Sequence, residues 1–528
     1  MGDGSVPVRA AAAVPAGGAE PPEGDWATLD GRAVAVTVVL VAGLVTLAGA
    51  LTLVGVAVRD PARLPVALAA TLTAALAIVA AAALAARLSW RRARYRVTPE
   101  RVEVRSGVLV RRRRSLALQR VRTVDVTAGP VLRTFGLVTL RVGTGQRSGT
   151  GETILQLRPV DRLEADRLRT VLLDRVRSAG GPQAGPGDGR IASGNPRWMR
   201  YGLLTAATPL LAIGVPGILL QLADWLGLRD GLFDAVGTAS RAVSPAAVAV
   251  VLVGVLLLVG GLSALALYAE TWGHFRLDRE PGGTLRVRRG VVTTRSISLE
   301  ERRLHGVELV EPLGVRLAGA ARVDAVATGL VVGADAESTE HRTLLPAAPR
   351  SLAERVAAAV LGESLCPTAQ PLTPHPAAAR RRRLARALLC VAVPVLALAL
   401  PGLLVPVTPL VVAAVVLMVP ATPLALLFAR DAAANLGHGL TGRYLVTRSG
   451  SLRRSTVALR REGVIGWRIR QSPWQRHAGL VTVTATTAAG RGAFTAHDAA
   501  AVDGVEFAAG AVPGLLSPFV RSSGPGRG

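Results

Sequence analysis

Apolar residues in this chain fall into two kinds of run. The first kind is long and nearly unbroken, at residues 33–58, 66–86, 201–228, 246–268, 387–405 and 410–429. About 20 helical residues cross a hydrocarbon core, so each run is long enough to span a bilayer. The runs come in pairs joined by short segments, the first of which is RDPARLP at 59–65. This pattern predicts three transmembrane hairpins. The third and fifth runs contain Pro209, Pro216, Pro394 and Pro401. Membrane helices accept proline when neighbouring groups satisfy the freed carbonyls.

The second kind of run is short, alternates with polar residues and is bounded by turn residues, which predicts strands. It follows each hairpin and repeats three times in one frame. The copies read SGVLVRRRRSLALQRVRTVDVTAGPVLRTFGLVTL, RGVVTTRSISLEERRLHGVELVEPLGVRLAGAARV and SGSLRRSTVALRREGVIGWRIRQSPWQRHAGLVTV. A leading glycine is followed 29 residues later by a second one in every copy: Gly107 and Gly136, Gly290 and Gly319, Gly450 and Gly479. Between them Leu116, Leu299 and Leu459 coincide, as do Val121, Leu304 and Val464, and Arg133, Arg316 and Arg476. Each copy opens on an aromatic strand (ARYRVT, GHFRLD, GRYLVT) and ends in a helical pattern. In the first copy that helix is expected over 161–178, with Leu163, Ala165, Leu168, Leu172 and Val176 on one face.

The expected fold is therefore a multi-pass α-helical membrane protein carrying three cytoplasmic α+β modules, each a small β-barrel or sandwich ending in a helix. The expected division is a disordered tail (1–30), hairpin one (31–87), module one (88–180), a linker (181–196), hairpin two (197–269) and module two (270–363). A linker (364–383), hairpin three (384–430), module three (431–517) and a tail (518–528) complete it. Module three has little room between Tyr444 and Gly450 and is expected to lack a strand pair.

A hairpin leading into RYRVTPERVEVRSGVLVRRRRSLALQRV resembles the bacterial pleckstrin-homology-like domain of the second family, bPH2. The segment QSPWQRHAG (471–479) resembles that family's Q-S-P-x-Q-R-x-x-G pattern, and the other copies keep its Arg and Gly. Three hairpin-plus-module units look like the YdbT-type membrane proteins of bacteria. The resemblance implies PH-like barrels and a non-enzymatic scaffold that binds a protein, a peptide or lipid headgroups, in a setting of envelope stress or resistance. The partners expected are anionic lipid, a smaller PH-like membrane protein or a second copy of the chain.

Charge sets the orientation. Formal net charge is +26, and all 62 basic residues are arginine. Residues 87–122 hold 13 arginines against Glu100 and Glu103, immediately after a span. The short turns within the hairpins are poorer in arginine than the flanks, so the positive-inside rule puts both termini and all three modules in the cytoplasm of a bacterial cell. Trp90, Trp198, Trp225 and Trp272 fall near span ends, where indole rings favour the interface.

Other chemistry is sparse. Apart from Asp224, no ionisable residue sits within a span, which argues against the alternative of a transporter or channel component. The loop GTGQRSGTG (143–151) joins two predicted strands, whereas a dinucleotide cradle must run into a helix. The seven histidines form no i, i+4 pair, and the two cysteines make no framework, so no metal site, cofactor or catalytic constellation is expected. Aromatics are only 3% of the chain, too few to interleave with arginines on nucleic acid. The candidate partner or lipid contacts are Arg91, Arg92, Arg111, Arg112 and Arg113 beside the first hairpin. Arg133, Arg316 and Arg476 at the shared frame position, and Trp474, complete the set.

Overall fold

The computed structural model describes residues 26–98, 101–106, 112–117, 123–143, 154–165, 167–168, 189–205, 207–241, 243–280, 282–328, 342–404 and 408–515. The six long apolar runs form helices α1 (Arg32–Arg59), α2 (Leu64–Arg92), α3 (Ala207–Trp225), α4 (Pro245–Trp272), α5 (Ala377–Leu404) and α6 (Thr408–Ala434). All six are long and apolar enough to cross a membrane. They pack in sequence-adjacent pairs, α1 on α2, α3 on α4 and α5 on α6. Small residues allow the approach: a Cβ on Gly260 would stand 2.6 Å from the Cβ of Ala212. The outward faces stay apolar, with Leu76, Ile213 and Val250 exposed. Such a surface needs hydrocarbon around it.

Helix α5 starts ten residues before its apolar run, so Arg380 to Arg383 are helical. A further helix, Arg229–Arg241, lies between α3 and α4 where only a turn was expected.

The strands are β1 (Ala27–Thr28), β2 (Arg94–Val97), β3 (Arg101–Ser106), β4 (Arg112–Ala117), β5 (Thr123–Ala128), β6 (Leu137–Gly143) and β7 (Ile154–Asp161) in the first module. The second has β8 (Gly189–Ser193), β9 (Arg276–Glu280), β10 (Thr284–Arg289), β11 (Thr294–Glu300), β12 (Leu304–Pro312), β13 (Ala320–Ala327) and β14 (Thr343–Pro349). The third has β15 (Thr373–Pro374), β16 (Gly437–Thr441), β17 (Tyr444–Ser449), β18 (Arg453–Arg460), β19 (Val464–Arg470), β20 (Leu480–Thr487) and β21 (Ala493–Ala500). The third module is thus not shortened: β16 and β17 meet through a tight turn around Gly442, and helix Ala501–Ala511 closes it.

Two features of the pairing were not expected. First, the segments before the hairpins are strands. β1 pairs with β2, β8 with β9 and β15 with β16, so each pair of long helices is inserted between two neighbouring strands of one sheet. Both ends of each helix pair are thereby tied to the same sheet. Second, the described strands do not form three separate barrels. The second half of one module continues into the first half of the next. The sheets run β1-β2-β3-β4, then β7-β6-β5-β11-β10-β9-β8, then β14-β13-β12-β18-β17-β16-β15, then β19-β20-β21.

The two junctions, β5 with β11 and β12 with β18, share one register. Val126 lies opposite Ser296, and its frame counterpart Leu309 lies opposite Thr456, the counterpart of Ser296. A Cβ on Gly306 would meet the Ala458 carbonyl oxygen at 2.0 Å, so glycine sets the closeness of the second junction. The apolar core follows the sheets across the boundary. Leu309, Val323 and Leu345 of the second module share a buried cluster with Tyr444, Val446 and Ala458 of the third.

The repeated glycines have a backbone cause. Gly290 and Gly450 take φ of 101° and 104°, and Gly136, Gly319 and Gly479 take 71°, 67° and 63°, conformations glycine adopts without Cβ strain. The first-module helix is described only in part. There Ala165 and Leu168 are buried but Leu163 is 77% exposed, so Leu163 is not on the buried face. The loop after Gly143, the acidic loop 333–339 and residues 1–25 lie outside the described residues.

Candidate functional site

Each junction is clamped where a long helix ends. At the first, Glu270 in the last turn of α4 accepts hydrogen bonds from the backbone N–H groups of Val292 and Thr293 at 2.9 and 2.8 Å. Arg133, from the short helix Pro130–Thr134, donates to the Val291 carbonyl at 3.1 Å. At the second, Arg316 from the short helix Leu313–Leu317 donates to Asp431 near the end of α6 at 2.8 Å. Ser451 donates to the same carboxylate at 2.8 Å. Arg133 and Arg316 therefore do the same structural work, each holding the following module. Arg476 is exposed, as is Trp474 at 81%.

The junctions differ in charge. At the second, two carboxylates are buried: Glu308 is 2% exposed and Glu311 1%. Glu311 receives both arms of the Arg454 guanidinium at 2.6 Å each, a bidentate pair. Glu308 accepts from Ser455 at 2.6 Å and from Arg491 at 3.1 Å. In the first junction the frame counterpart of Glu311 is Ala128.

Ala128 lines a cavity of about 560 Å³ together with Arg133, Arg162, Arg276, Arg286, Arg288, Arg289 and Arg295. Among the described residues no lining side chain is acidic, and His274, held at φ 53°, completes the wall nearest α4. Arg289 stacks over the Trp272 ring at 4.5 Å from its centroid, and Arg286 pairs with Glu280 at 2.9 Å. The site is thus a basic pocket beginning at the residue where α4 ends. Opposite Ala128 stands Thr294, where the second junction sets Arg454 opposite Glu311, so the pocket's arginines come from neighbouring positions. Among the described residues, no group of three or more metal-binding side chains comes together.

The other candidates disperse. Arg91 and Arg92 end α2 and are exposed. Arg111 lies outside the described residues. Arg112 opens β4 opposite Ser106. Arg113 donates to Glu103 at 3.2 Å, which also accepts from buried Arg96 at 2.9 Å. Burial raises the Glu103 carboxyl, but Arg113 and Arg96 outweigh it and hold the group below the usual carboxylate range. The QSPWQR segment is a folding signal. Ser472 and Gln475 form a reciprocal capping box with Pro473 at the first helical position, and buried Gln475 also donates to Thr482 and Asp498. Of the sequence candidates, Arg133 alone lines the basic pocket. Arg162 follows β7 in the same module, but its other companions come from β9, β10 and β11, and the pairing across modules brings them to it. No spacing within one copy carries that signal.

Comparison with known proteins agrees with this architecture. Residues 35–176 and 391–509 match the bacterial PH domain, each match running from a long apolar helix into the module that follows. The UPF0699 transmembrane protein YdbT of Bacillus subtilis (strain 168) is 24% identical over 272 residues, 48% of this chain. The chain spans 53% of that relative's length in the alignment. No solved structure matches. With six helices long and apolar enough to cross a membrane and two bacterial PH domain matches, the chain is a membrane protein similar to the bPH2-domain proteins of the YdbT type.

Proposed function

We propose that this protein is a non-enzymatic scaffold of the bacterial cell membrane whose three modules form one platform on the cytoplasmic face. The six helices cross the bilayer as three hairpins, and the basic pocket at the first junction takes the headgroup of an anionic lipid. The observation that carries this reading is the replacement of Glu311 by Ala128 at the same junction position, within a wall of seven arginines at the end of a spanning helix. A lipid phosphate there stands in for the missing carboxylate. Its glycerol and chains run back along α4 into the hydrocarbon.

Arginine suits this task because its planar fork binds phosphate through two N–H groups. Juxtamembrane basic residues add about 1 kcal/mol each of attraction to an anionic surface. Arg91, Arg92 and the β4 arginines contribute this general attraction, and the pocket contributes selectivity.

The test uses the full chain in lipid nanodiscs with phosphatidylglycerol or phosphatidylcholine. Phosphorus NMR should show an immobilised headgroup population with the anionic lipid only, lost in the Arg276→Gln, Arg288→Gln double variant. An immobilised population of equal size in both lipids, or one that survives the double variant, contradicts the proposal.

A further inference from the structure

The third module ends in a surface that the first two modules bury. In the first two, the strand after the second turn is covered along its free edge by a strand of the next module. In the third, β19 is the end of its sheet among the described residues. The effect on exposure is direct. Leu309 of β12 is 1% exposed, whereas Ile469, its frame counterpart on β19, is 42% exposed, and Ile465 is 66% exposed. Arg476 and Trp474 stand exposed beside this edge, where Arg133 and Arg316 grip a following module. Exposed edges of this kind are templates for strand addition.

The register shared by both junctions identifies what can pair there. A second copy of this chain would offer β4, the first module's matching edge. The same register would set Arg114 opposite Arg468 and Arg112 opposite Arg470. Like charges directly opposite destabilise a strand pair. Two such pairs side by side bar a head-to-tail filament of identical chains. The second junction has the complementary arrangement, for Glu311 lies directly opposite Arg454, whereas the first sets uncharged Ala128 opposite Thr294. On β19 the frame position of Glu308 is Arg468, so the charge requirement is inverted.

We propose that the β19 edge docks an acidic β-strand of a different polypeptide, with carboxylates opposite Arg468 and Arg470. Those two arginines alternate onto one face of β19, so the incoming strand carries its acids two residues apart. Ile469, on the opposite face, is covered as Leu309 is.

The probe is an eight-residue peptide with the sequence of β18, in which the positions of Ser455 and Val457, those facing Arg470 and Arg468 in the shared register, are both glutamate. A matching peptide carries lysine at both. Titrated into the full-length protein in detergent, the acidic peptide should bind at least tenfold more tightly than the basic one. The Arg468→Glu, Arg470→Glu variant should reverse the preference, a gain of binding that misfolding cannot produce. Equal binding of the two peptides, absence of saturable binding, or an unreversed preference overturns the proposal. So does an efficient disulfide between Ile469→Cys in one copy and Arg113→Cys in another, since that result makes a second copy the occupant.

Discussion

Glu311 and Ala128 hold the same place in two junctions of one register, Glu311 opposite Arg454 and Ala128 opposite Thr294. Glu311 is buried and doubly bonded to Arg454, so its removal leaves a half-buried guanidinium whose remaining hydrogen bond is to the Asn435 side-chain oxygen. Glu311→Ala should cost about 3–5 kcal/mol of stability, read from denaturant unfolding of the full chain in detergent. Adding Arg454→Met should recover much of the loss, because the orphaned charge is then gone. A second residue-scale feature is the histidine pair. His375 Nε2 lies 2.9 Å from His438 Nδ1, and His438 packs edge-on against Phe507. Burial, and then the neighbouring His438, holds His375 down at about 4, and burial also lowers His438 and His497. Histidines depressed in the fold take up protons first in the unfolded chain. Stability is therefore intact above the ordinary histidine value of about 6.5 and declines as pH falls toward 4. Melting temperature measured across that range should drop with acidification, and the His375→Gln, His438→Gln variant should flatten much of the slope, leaving the share of His305 and His497, which burial also lowers.

At the scale of elements, the strands and long helices were legible because alternation and long apolar runs are local properties. The pairing was not. Alternation tells which residues share a face of a strand but not which strand lies alongside, so three separate barrels read as well as shared sheets. The strands before the hairpins were hidden for the same reason: Ala27–Thr28 and Thr373–Pro374 are two residues each, and nothing within so short a run signals a sheet. Of the arginine block 111–114, Arg112 to Arg114 lie on β4 (Arg112–Ala117), and the place of β4 at the end of its sheet, among the described residues, depended on the pairing. Glycine gives a direct test of those junctions. Gly306 and Gly466 share a frame position, but only Gly306 is covered by a neighbouring strand. Gly306→Ala should open the second junction and speed proteolytic cleavage between modules two and three. Gly466→Ala, whose nearest contact is the Thr486 hydroxyl at 3.2 Å, should change cleavage little.

At the scale of the molecule, the six helices and the sheets alternate along the chain, and each helix pair is inserted within a sheet instead of hanging from its end. This geometry couples the modules to the membrane at both ends of every pair. For the proposed orientation, an alkaline phosphatase fused within the turn at Arg63 should be active outside the cytoplasm, and one fused after Leu515 should be inactive. The central claim is that the first junction holds an anionic lipid where the second holds its own carboxylate. The most direct measurement is native mass spectrometry of the full chain released from mixed phosphatidylglycerol and phosphatidylcholine nanodiscs, comparing the natural protein with Ala128→Glu. The account predicts that the natural protein retains phosphatidylglycerol selectively, and that a glutamate at position 128 fills the pocket and reduces that retention about tenfold while the protein stays folded. Undiminished retention in the Ala128→Glu protein would contradict it.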